Sequence, residues 1–255
     1  MKLAGKVALV TGSSQGIGAA IAVRLAQEGA DVIVNYRSHP EDADKVKAAI
    51  EKTGRKGVTI QADMGSIAAV TKLIADGVAA LGKIDILVNN AGVEKHADFW
   101  DVTEKDYDFV LDVNLKGSFF AAQAFVKHLM SRKAKGKIIN ISSVHEDLPF
   151  PHFTAYCMSK GGLKMFTRNL SIELAPLGIT INNVAPGAIE TPINTALLND
   201  PVKLKELLSK IPLARLGQPG DVSSGVAFLA SSDADYITGT TLVIDGGLTW
   251  NYSEQ

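Results

Sequence analysis

Thr11-Gly12-Ser13-Ser14-Gln15-Gly16-Ile17-Gly18 separates an apolar run, Lys6–Val10, from a helical pattern, Gly16–Glu28. Glycine tolerates positive φ and lets the backbone approach a ligand closely. A helix that begins at such a turn presents free N–H groups and a partial positive charge to a phosphate. A tight glycine turn alone is a weak signal. Its position after the first predicted strand favours a binding site for the pyrophosphate of a dinucleotide.

Apolar runs rich in Val, Ile and Leu alternate with helical patterns along the sequence, and the runs are continuous, as expected for strands buried on both faces. The predicted strands are Lys6–Val10, Asp31–Tyr36, Gly57–Gln61, Ile84–Asn89, Lys137–Ile141, Ile179–Val184 and Thr241–Ile244. The predicted helices are Gly16–Glu28, Glu41–Lys52, Ile67–Ala80, Asp106–Ser131, Ala155–Ala175 and Val222–Ala230. This alternation predicts one α/β domain over residues 1–255, with a doubly wound (Rossmann) sheet of seven parallel strands and helices on both faces.

One irregular, proline-containing stretch, residues 187–218, follows a core strand. It contains a short helical pattern at Val202–Lys210. An insertion beside a site often serves as a lid over the substrate, although a plain surface loop is the alternative. We therefore expect residues 187–218 to form a substrate lid within the domain.

Composition excludes several classes of function. The 255 residues include 46% hydrophobic and 21% charged side chains, and the net charge is −1, so no field favours nucleic acid or an anionic membrane surface. No apolar run approaches the roughly 20 residues that span a bilayer, and the N-terminus lacks a signal-peptide layout. The single cysteine, Cys157, permits no intrachain disulfide and fits a reducing compartment, so a cytoplasmic location is expected. No histidine, cysteine or carboxylate spacing indicates a metal site.

The end of the second strand indicates which dinucleotide is bound. A carboxylate there selects the free 2′-hydroxyl of NAD, whereas a cation accepts the 2′-phosphate of NADP. The sequence Asn35-Tyr36-Arg37-Ser38 contains no carboxylate, and Arg37 can make a forked hydrogen bond to phosphate. NADP is therefore expected to be favoured and NAD also accepted. Asp63 and Asn89-Asn90-Ala91-Gly92 follow the third and fourth strands, where the cofactor would lie.

Tyr156 and Lys160 are four residues apart in a helical pattern, so both lie on one face. Oxidation of an alcohol requires a base for the hydroxyl proton, and tyrosine with a pKa of about 10 is a poor base near neutrality. The neighbouring ammonium and a cationic nicotinamide would lower this pKa by roughly two to three units. Ser143, at the end of the fifth strand, would hydrogen-bond the reacting oxygen. Asn114, at the start of a long helix, would hold a water that relays protons from Lys160.

Together these residues resemble the classical short-chain dehydrogenase/reductase family, over nearly the whole chain. The resemblance implies a catalytic tetrad of Asn114, Ser143, Tyr156 and Lys160, and usually a homotetramer in which two long helices pair across a two-fold axis. It also implies contacts to the nicotinamide from the turn after the sixth strand. The predicted cofactor-binding residues are Gly12, Ser14, Gln15, Gly16, Ile17, Gly18, Arg37, Ser38, Asp63, Met64, Asn90, Ala91, Gly92, Tyr156, Lys160, Pro186, Gly187, Ile189 and Thr191.

A finer resemblance concerns the substrate. Gly92-Val93-Glu94, Ser142-Ser143-Val144-His145-Glu146 and the segment 186–194 are similar to those of bacterial glucose 1-dehydrogenases. This similarity implies oxidation of D-glucose to the lactone, with NAD or NADP. The predicted substrate-binding residues are Glu94, Ser143, His145, Tyr156 and Asn194, and Glu146 is expected in a loop that lines the same pocket.

Two other functions stay open. Phe150 and Phe153 could serve a more apolar carbonyl substrate, as in a reductase of 3-oxoacyl thioesters or small ketones. A non-catalytic nucleotide-sensing module is the alternative from another class. The complete tetrad argues against it, because a binding module has no need of a tyrosine and a lysine beside a serine.

Overall fold

Seven parallel strands form one sheet in the order β3-β2-β1-β4-β5-β6-β7. The structure is a computed structural model and describes residues 1–191 and 199–251. The strands are β1 (Val7–Val10), β2 (Asp31–Tyr36), β3 (Gly57–Gln61), β4 (Ile86–Asn89), β5 (Gly136–Ile141), β6 (Ile179–Pro186) and β7 (Thr241–Ile244). The predicted doubly wound fold is thus confirmed. The strand order reverses between β1 and β4, so the carboxyl ends of these strands form the crevice in which such sheets bind ligands.

Helices cover both faces of the sheet. They are α1 (Gly16–Gln27), α2 (Pro40–Glu51), α3 (Ile67–Leu81), α4 (Glu104–Leu111), α5 (Gly117–Ser131), α6 (Thr154–Leu174), α7 (Pro201–Ser209) and α8 (Pro219–Ala230). Side-chain caps mark several helix starts. The Ser66 hydroxyl accepts a hydrogen bond from the Ala69 amide at the start of α3, and Asp200 does the same for two amides of α7. No helix within residues 1–191 and 199–251 is long and apolar enough to cross a membrane.

The long helix predicted over Asp106–Ser131 is interrupted. A π-helical turn, Asp112–Lys116, joins α4 to α5, so Asn114 lies inside this turn and not at the start of a helix as expected. The apolar periodicity continues through the turn, and the sequence pattern therefore could not reveal the extra residue. Single π turns within helices occur frequently at functional sites.

Strand β1 shows how the core is divided. Ala8 and Val10 pack with residues of α1 and α8 on one face, whereas Val7 and Leu9 pack with residues of α3 and α5 on the other. All four side chains are buried. A strand covered on both faces must be apolar throughout, which is why the continuous apolar runs located the strands correctly.

The predicted lid contains the expected short helix, found as α7, and Ile189 pairs with Gly217 across its base. Residues 192–198 of this stretch lie outside the described part of the chain. The role of the stretch as a lid, and the division of the chain into a single domain, stay predictions.

Candidate active site

The glycine turn packs directly against the loop that follows β4. Gly12 has a φ of +59°, and a Cβ at this position would lie 2.9 Å from the Ala91 Cα. A Cβ on Gly18 would lie 2.4 Å from the Asn90 side-chain nitrogen. Helix α1 begins at Gly16, and its N-cap residue makes no side-chain cap hydrogen bond. The first turn of α1 therefore keeps free N–H groups for a pyrophosphate, as a dinucleotide site requires.

A set of polar side chains holds this turn in place. The Thr11 hydroxyl accepts hydrogen bonds from the amides of Asn90 and Ala91, both at 3.0 Å. The Asn90 side chain donates to the carbonyl oxygens of Thr11 and Gly12, both at 2.9 Å. The buried Asn35 side chain accepts from the Gly12 amide at 2.9 Å. The predicted cofactor residue Asn90 thus shapes the turn with its side chain, and Thr11 and Asn35 are two contributors that sequence reasoning missed.

The predicted adenosine end lies where β2 and β3 finish. Arg37 and Ser38 are exposed, and the Arg37 guanidinium carbon lies 5.9 Å from the centroid of the Phe109 ring. The Asp63 side chain accepts a hydrogen bond from the Gly65 amide at 2.9 Å, and Met64 beside it is buried. The strand ends thus present a cation at the position where a 2′-phosphate would lie.

Ser143, Tyr156 and Lys160 come together at the carboxyl end of β5. The Ser143 hydroxyl stands close enough to the Tyr156 hydroxyl to lower the pKa of the phenol. The Lys160 amine lies 5.5 Å from the centroid of the Tyr156 ring and donates to the Ile141 carbonyl at 2.9 Å. A Cβ on Gly92 would be 3.7 Å from the Lys160 amine, so the amine also faces the loop that packs against the glycine turn.

Burial governs the proton affinities of both groups. It raises the pKa of Tyr156 to about 12, against the nearby Ser143 hydroxyl, which lowers it. It lowers the pKa of Lys160 to about 8, against the negative charges of Glu146 and Glu94, which raise it. The chain by itself therefore shows no lowering of the tyrosine pKa, and the lowering expected with a nicotinamide bound stays a prediction. A further positive charge, such as that of an oxidised nicotinamide, is needed to favour the phenolate.

Asn114 braces the loop after β4. Its side-chain nitrogen donates to the Val93 carbonyl at 2.8 Å and to the Ser159 hydroxyl at 3.0 Å. Its side-chain oxygen accepts from the Val93 amide at 2.8 Å. Both amide hydrogens are thus already used by protein atoms, whereas the side-chain oxygen keeps a second lone pair. A water that relays protons from Lys160 could donate to that oxygen, and the expected relay stays a prediction.

The predicted substrate residues have different surroundings. Glu94 is half-buried, and burial raises the pKa of its carboxyl against the charge of Lys160, which lowers it. The His145 ring stacks on Phe150, with centroids 4.2 Å apart, and its edge faces the Tyr156 ring at 6.3 Å. Asn194 lies outside the described residues.

Glu146 is not in a pocket wall as expected. Its side chain is only 2% exposed, because the backbone turn after Ser143 directs it beneath the site, toward β6 and β7. The sequence pattern gave no sign of this, since an acidic residue in a polar loop is usually exposed.

Aromatic rings continue from His145 along one side of the site. Phe150 stacks on Phe153 with centroids 4.1 Å apart, and Phe153 meets the edge of His96, which stacks on His152. The result is a connected set of rings, His145–Phe150–Phe153–His96–His152, which we call the aromatic row.

The turn after β6 forms the remaining predicted contact. A Cβ on Gly187 would be 2.8 Å from the Asp245 Cβ, and the Gly187 amide donates to the Ile244 carbonyl at 2.9 Å. Ile189 is buried and Thr191 is the last residue described before the gap. Close packing against β7 therefore requires glycine at position 187.

Comparison with known proteins agrees with this geometry. A family model described as enoyl-(acyl carrier protein) reductase matches residues 12–249. The chain is 43% identical over 247 residues to 3beta-hydroxysteroid dehydrogenase 1 of Eggerthella lenta, a match that covers 97% of this chain and 95% of that protein. It is 40% identical over 248 residues to glucose 1-dehydrogenase 2 of Bacillus subtilis, covering 97% and 96%.

A solved structure from Agrobacterium tumefaciens, provisionally assigned as a 2-deoxy-D-gluconate 3-dehydrogenase and holding bound NADP, has a TM-score of 0.90 to this chain. The two are 38% identical, and the match covers 97% of each chain. Because these matches extend over nearly the whole sequence, the chain belongs to the short-chain dehydrogenase/reductase family and is an oxidoreductase that acts on CH–OH groups.

Proposed function

We propose that this protein oxidises D-glucose at C1 to the lactone, with NADP as the favoured cofactor and NAD also accepted. The observation that carries the catalytic part of the proposal is the juxtaposition of Ser143 and Tyr156, with the Lys160 amine beside them. All three side chains stand at the loop that packs on the glycine turn, where a nicotinamide ring and an alcohol would meet.

Each of these side chains has a chemical task. Ser143 holds the reacting oxygen, and Tyr156 accepts the hydroxyl proton as the C–H bond breaks. Lys160 stabilises the phenolate through its charge. A bound nicotinamide would supply the acceptor for the hydride of the C–H bond, and the hydroxyl proton of the alcohol would pass to Tyr156 in its phenolate form.

The cofactor is proposed from the adenosine end. Arg37 offers a forked set of donors to a 2′-phosphate. The segment Asn35-Tyr36-Arg37-Ser38 contains no carboxylate, so no negative charge there repels this phosphate. The structural relative from Agrobacterium tumefaciens holds NADP. The glycine cradle formed by Gly12 and Gly18 fits the pyrophosphate of either dinucleotide.

Glucose is proposed from the polar groups beside the tyrosine. A sugar needs several hydrogen-bond partners, and a site built for hydroxyl groups discriminates against analogues that lack them. Glu94 and His145 lie next to Tyr156 and Lys160, and the charge of Glu94 acts on both of the latter. We assign Asn194 to the same task from its place in the sequence.

The aromatic row favours a second candidate substrate, an apolar alcohol with fused rings. The stacked rings of Phe150 and Phe153 place apolar edges next to His145, and contact with aromatic side chains favours an apolar ligand. The relative from Eggerthella lenta is named as a hydroxysteroid dehydrogenase.

A substrate panel separates these candidates. The purified protein is mixed with NADP⁺ and either D-glucose or a 3β-hydroxysteroid, and with NADPH and a 3-oxoacyl thioester or a small ketone, while absorbance of the reduced nicotinamide is followed. We expect turnover with glucose. Glu94→Gln should raise the KM for glucose, whereas Phe150→Leu should leave it close to that of the wild type. Turnover with the steroid alone, lost in Phe150→Leu, would replace glucose by the second candidate.

We also propose a homotetramer. Met158, Met165 and Ile172 are exposed on α6 at intervals of seven residues, so they share one face of the helix. Phe119 on α5 is exposed too, and its ring packs on that of Phe166. An apolar stripe of this length on an isolated chain is typical of a subunit interface.

A further inference from the structure

Polar side chains, most of them buried, connect four neighbouring strands beneath the active site. The Asn89 side-chain nitrogen on β4 donates to the Asn140 side-chain oxygen on β5 at 2.8 Å. Asn140 donates in turn to Asn183 on β6 at 3.3 Å. Asn183 donates to one carboxylate oxygen of Glu146 at 3.1 Å, and the Thr241 hydroxyl on β7 donates to the other at 2.7 Å. We call this set of five side chains the polar ladder.

Glu146 is the charged member of the polar ladder. Its carboxylate is almost completely buried, and burial of a charge is costly unless hydrogen bonds and an opposite charge compensate for it. Two hydrogen bonds from the ladder do so in part. The Lys164 amine, 3.6 Å away, and the more distant Lys160 amine supply opposite charge.

Glu146 is also part of the turn that carries the catalytic serine. Its backbone amide donates to the Ser143 carbonyl at 2.9 Å. Its side chain ties that turn to β6 and β7, while the Ser143 hydroxyl stands beside Tyr156. The carboxylate therefore connects the position of Ser143 to the rigid sheet.

We propose that Glu146 is a positioning residue for the reaction: its carboxylate, fixed by the polar ladder, holds the Ser143 turn and sets a fixed negative charge beside the part of α6 that carries Lys160. This inference rests on the proposed function for its kinetic part. Neither task brings Glu146 into contact with the substrate, because its side chain lies beneath the site.

Three ionisable groups besides Glu146 act on or stand beside Lys160 and have to be taken into account. Glu94, from the loop after β4, favours the charged amine, as Glu146 does. Tyr156 lies on the same helix, with its ring 5.5 Å from the amine. Lys164 follows one turn later and pairs with both Glu146 and Asp147. Removal of the Glu146 charge is therefore expected to lower the pKa of Lys160.

The test compares Glu146→Gln with Asp147→Asn. Asp147 is exposed and lies outside the polar ladder, but it pairs with Lys164, as Glu146 does. The pH profile of kcat is measured with NADP⁺ and D-glucose. In Glu146→Gln, we expect the alkaline limb to move to lower pH by about one unit, since a nearby charge shifts a pKa by roughly one to three units. At pH values above both limbs this corresponds to a loss of about tenfold in kcat. Asp147→Asn should match the wild type.

A second measurement does not depend on turnover. The free energy of unfolding is determined from pH 7 to 10.5 by chemical denaturation. Because Lys160 loses its proton in the folded state at lower pH than in the unfolded state, this free energy rises above pH 8. We expect the rise to begin at lower pH in Glu146→Gln. If the wild type turns over no glucose, but the rise still begins at lower pH in Glu146→Gln than in the wild type, the proposed substrate is contradicted and the role of Glu146 is supported.

The proposal is overturned if Glu146→Gln folds and changes neither the alkaline limb of kcat nor the pH at which the free energy of unfolding begins to rise. If that variant does not fold, Thr241→Val removes one ladder donor and leaves the charge in place. We then expect kcat to fall several-fold, with the KM for NADP⁺ and the alkaline limb unchanged. Wild-type kcat in Thr241→Val would refute the positioning role.

Discussion

The Lys160 amine stands over the side of the Tyr156 ring, 5.5 Å from its centroid, and is held there by a hydrogen bond to the Ile141 carbonyl. Residues four apart on a helix lie on one face, so the sequence already required this proximity. Burial acts on the two groups in opposite directions, because it disfavours the charged form of each. Near pH 8, Tyr156 is therefore a neutral phenol and the Lys160 amine is partly charged. A cationic ligand beside them would favour the phenolate.

The buried lysine should cost stability at neutral pH. The lowering of its pKa from 10.5 to about 8 corresponds to roughly 3 kcal/mol. Below pH 8 the folded chain bears this cost, and between pH 8 and 10.5 the cost disappears as the folded state releases its proton. Lys160→Met should therefore be more stable than the wild type at pH 7, and this advantage should shrink by ~3 kcal/mol by pH 11. Denaturant unfolding across this range checks the prediction, and a pH-independent difference contradicts it.

Tyr156→Phe should abolish turnover and leave cofactor binding nearly intact. The change removes only the hydroxyl that would exchange a proton with the substrate, and the ring keeps its contacts with His145 and Lys160. Steady-state rates and titration of NADPH fluorescence measure the two effects separately. Retained turnover would refute the assignment of Tyr156 as acid/base, and it would leave the dinucleotide site unaffected.

Gly18→Ala should abolish dinucleotide binding. The new Cβ would lie 2.4 Å from the Asn90 side-chain nitrogen and 2.5 Å from the Gly12 carbonyl oxygen, so the glycine turn would have to move. Gly220→Ala is a matched control in the first turn of α8, where a Cβ meets nothing within 4 Å. Calorimetric titration with NADPH should show no binding to the first variant and wild-type affinity for the second. Equal affinities would contradict the geometry of the cradle.

Arg37→Ala should reduce the preference for NADP over NAD. The guanidinium is exposed at the end of β2, where it can reach a 2′-phosphate, and NAD carries no group for it to bind there. The ratio of kcat/KM for NADP⁺ to that for NAD⁺ should fall by at least tenfold, mainly through the KM for NADP⁺, as expected for loss of roughly 1.4 kcal/mol of binding. Lys45→Ala, an exposed cation on α2, should leave the ratio unchanged. An unaltered ratio in Arg37→Ala would exclude this role.

The fold and the main catalytic group were predictable from the sequence for a simple reason. Strands buried on both faces must be apolar along their length, and helical spacing alone puts Tyr156 and Lys160 on one side. The structural role of the buried Asn35 was also predictable, because an amide in an otherwise apolar strand needs hydrogen-bond partners. The position of Glu146 had no such signal. It depends on Asn183 and Thr241, which are distant in sequence and meet only when β6 and β7 pair.

The pKa of Tyr156 could not be predicted either. Sequence spacing gives the distance between two charges, whereas the direction of a pKa shift depends on how far water is excluded. Burial decides it here, and burial is a property of all the elements around α6. The π turn at Asn114 is a similar case, since its apolar pattern also fits an ordinary helix.

Ile172→Glu should break the proposed tetramer. Ile172 is 77% exposed and continues the stripe of Met158 and Met165 along α6, so a carboxylate there would be buried without a partner at a subunit interface. Val202→Glu is the control, because Val202 is equally exposed but belongs to a different helix, α7. Light scattering at micromolar concentration should give four chain masses for the wild type and the control, and one or two for Ile172→Glu. A wild type with the mass of one chain, 27.0 kDa, would refute the assembly and leave the catalytic proposal untouched.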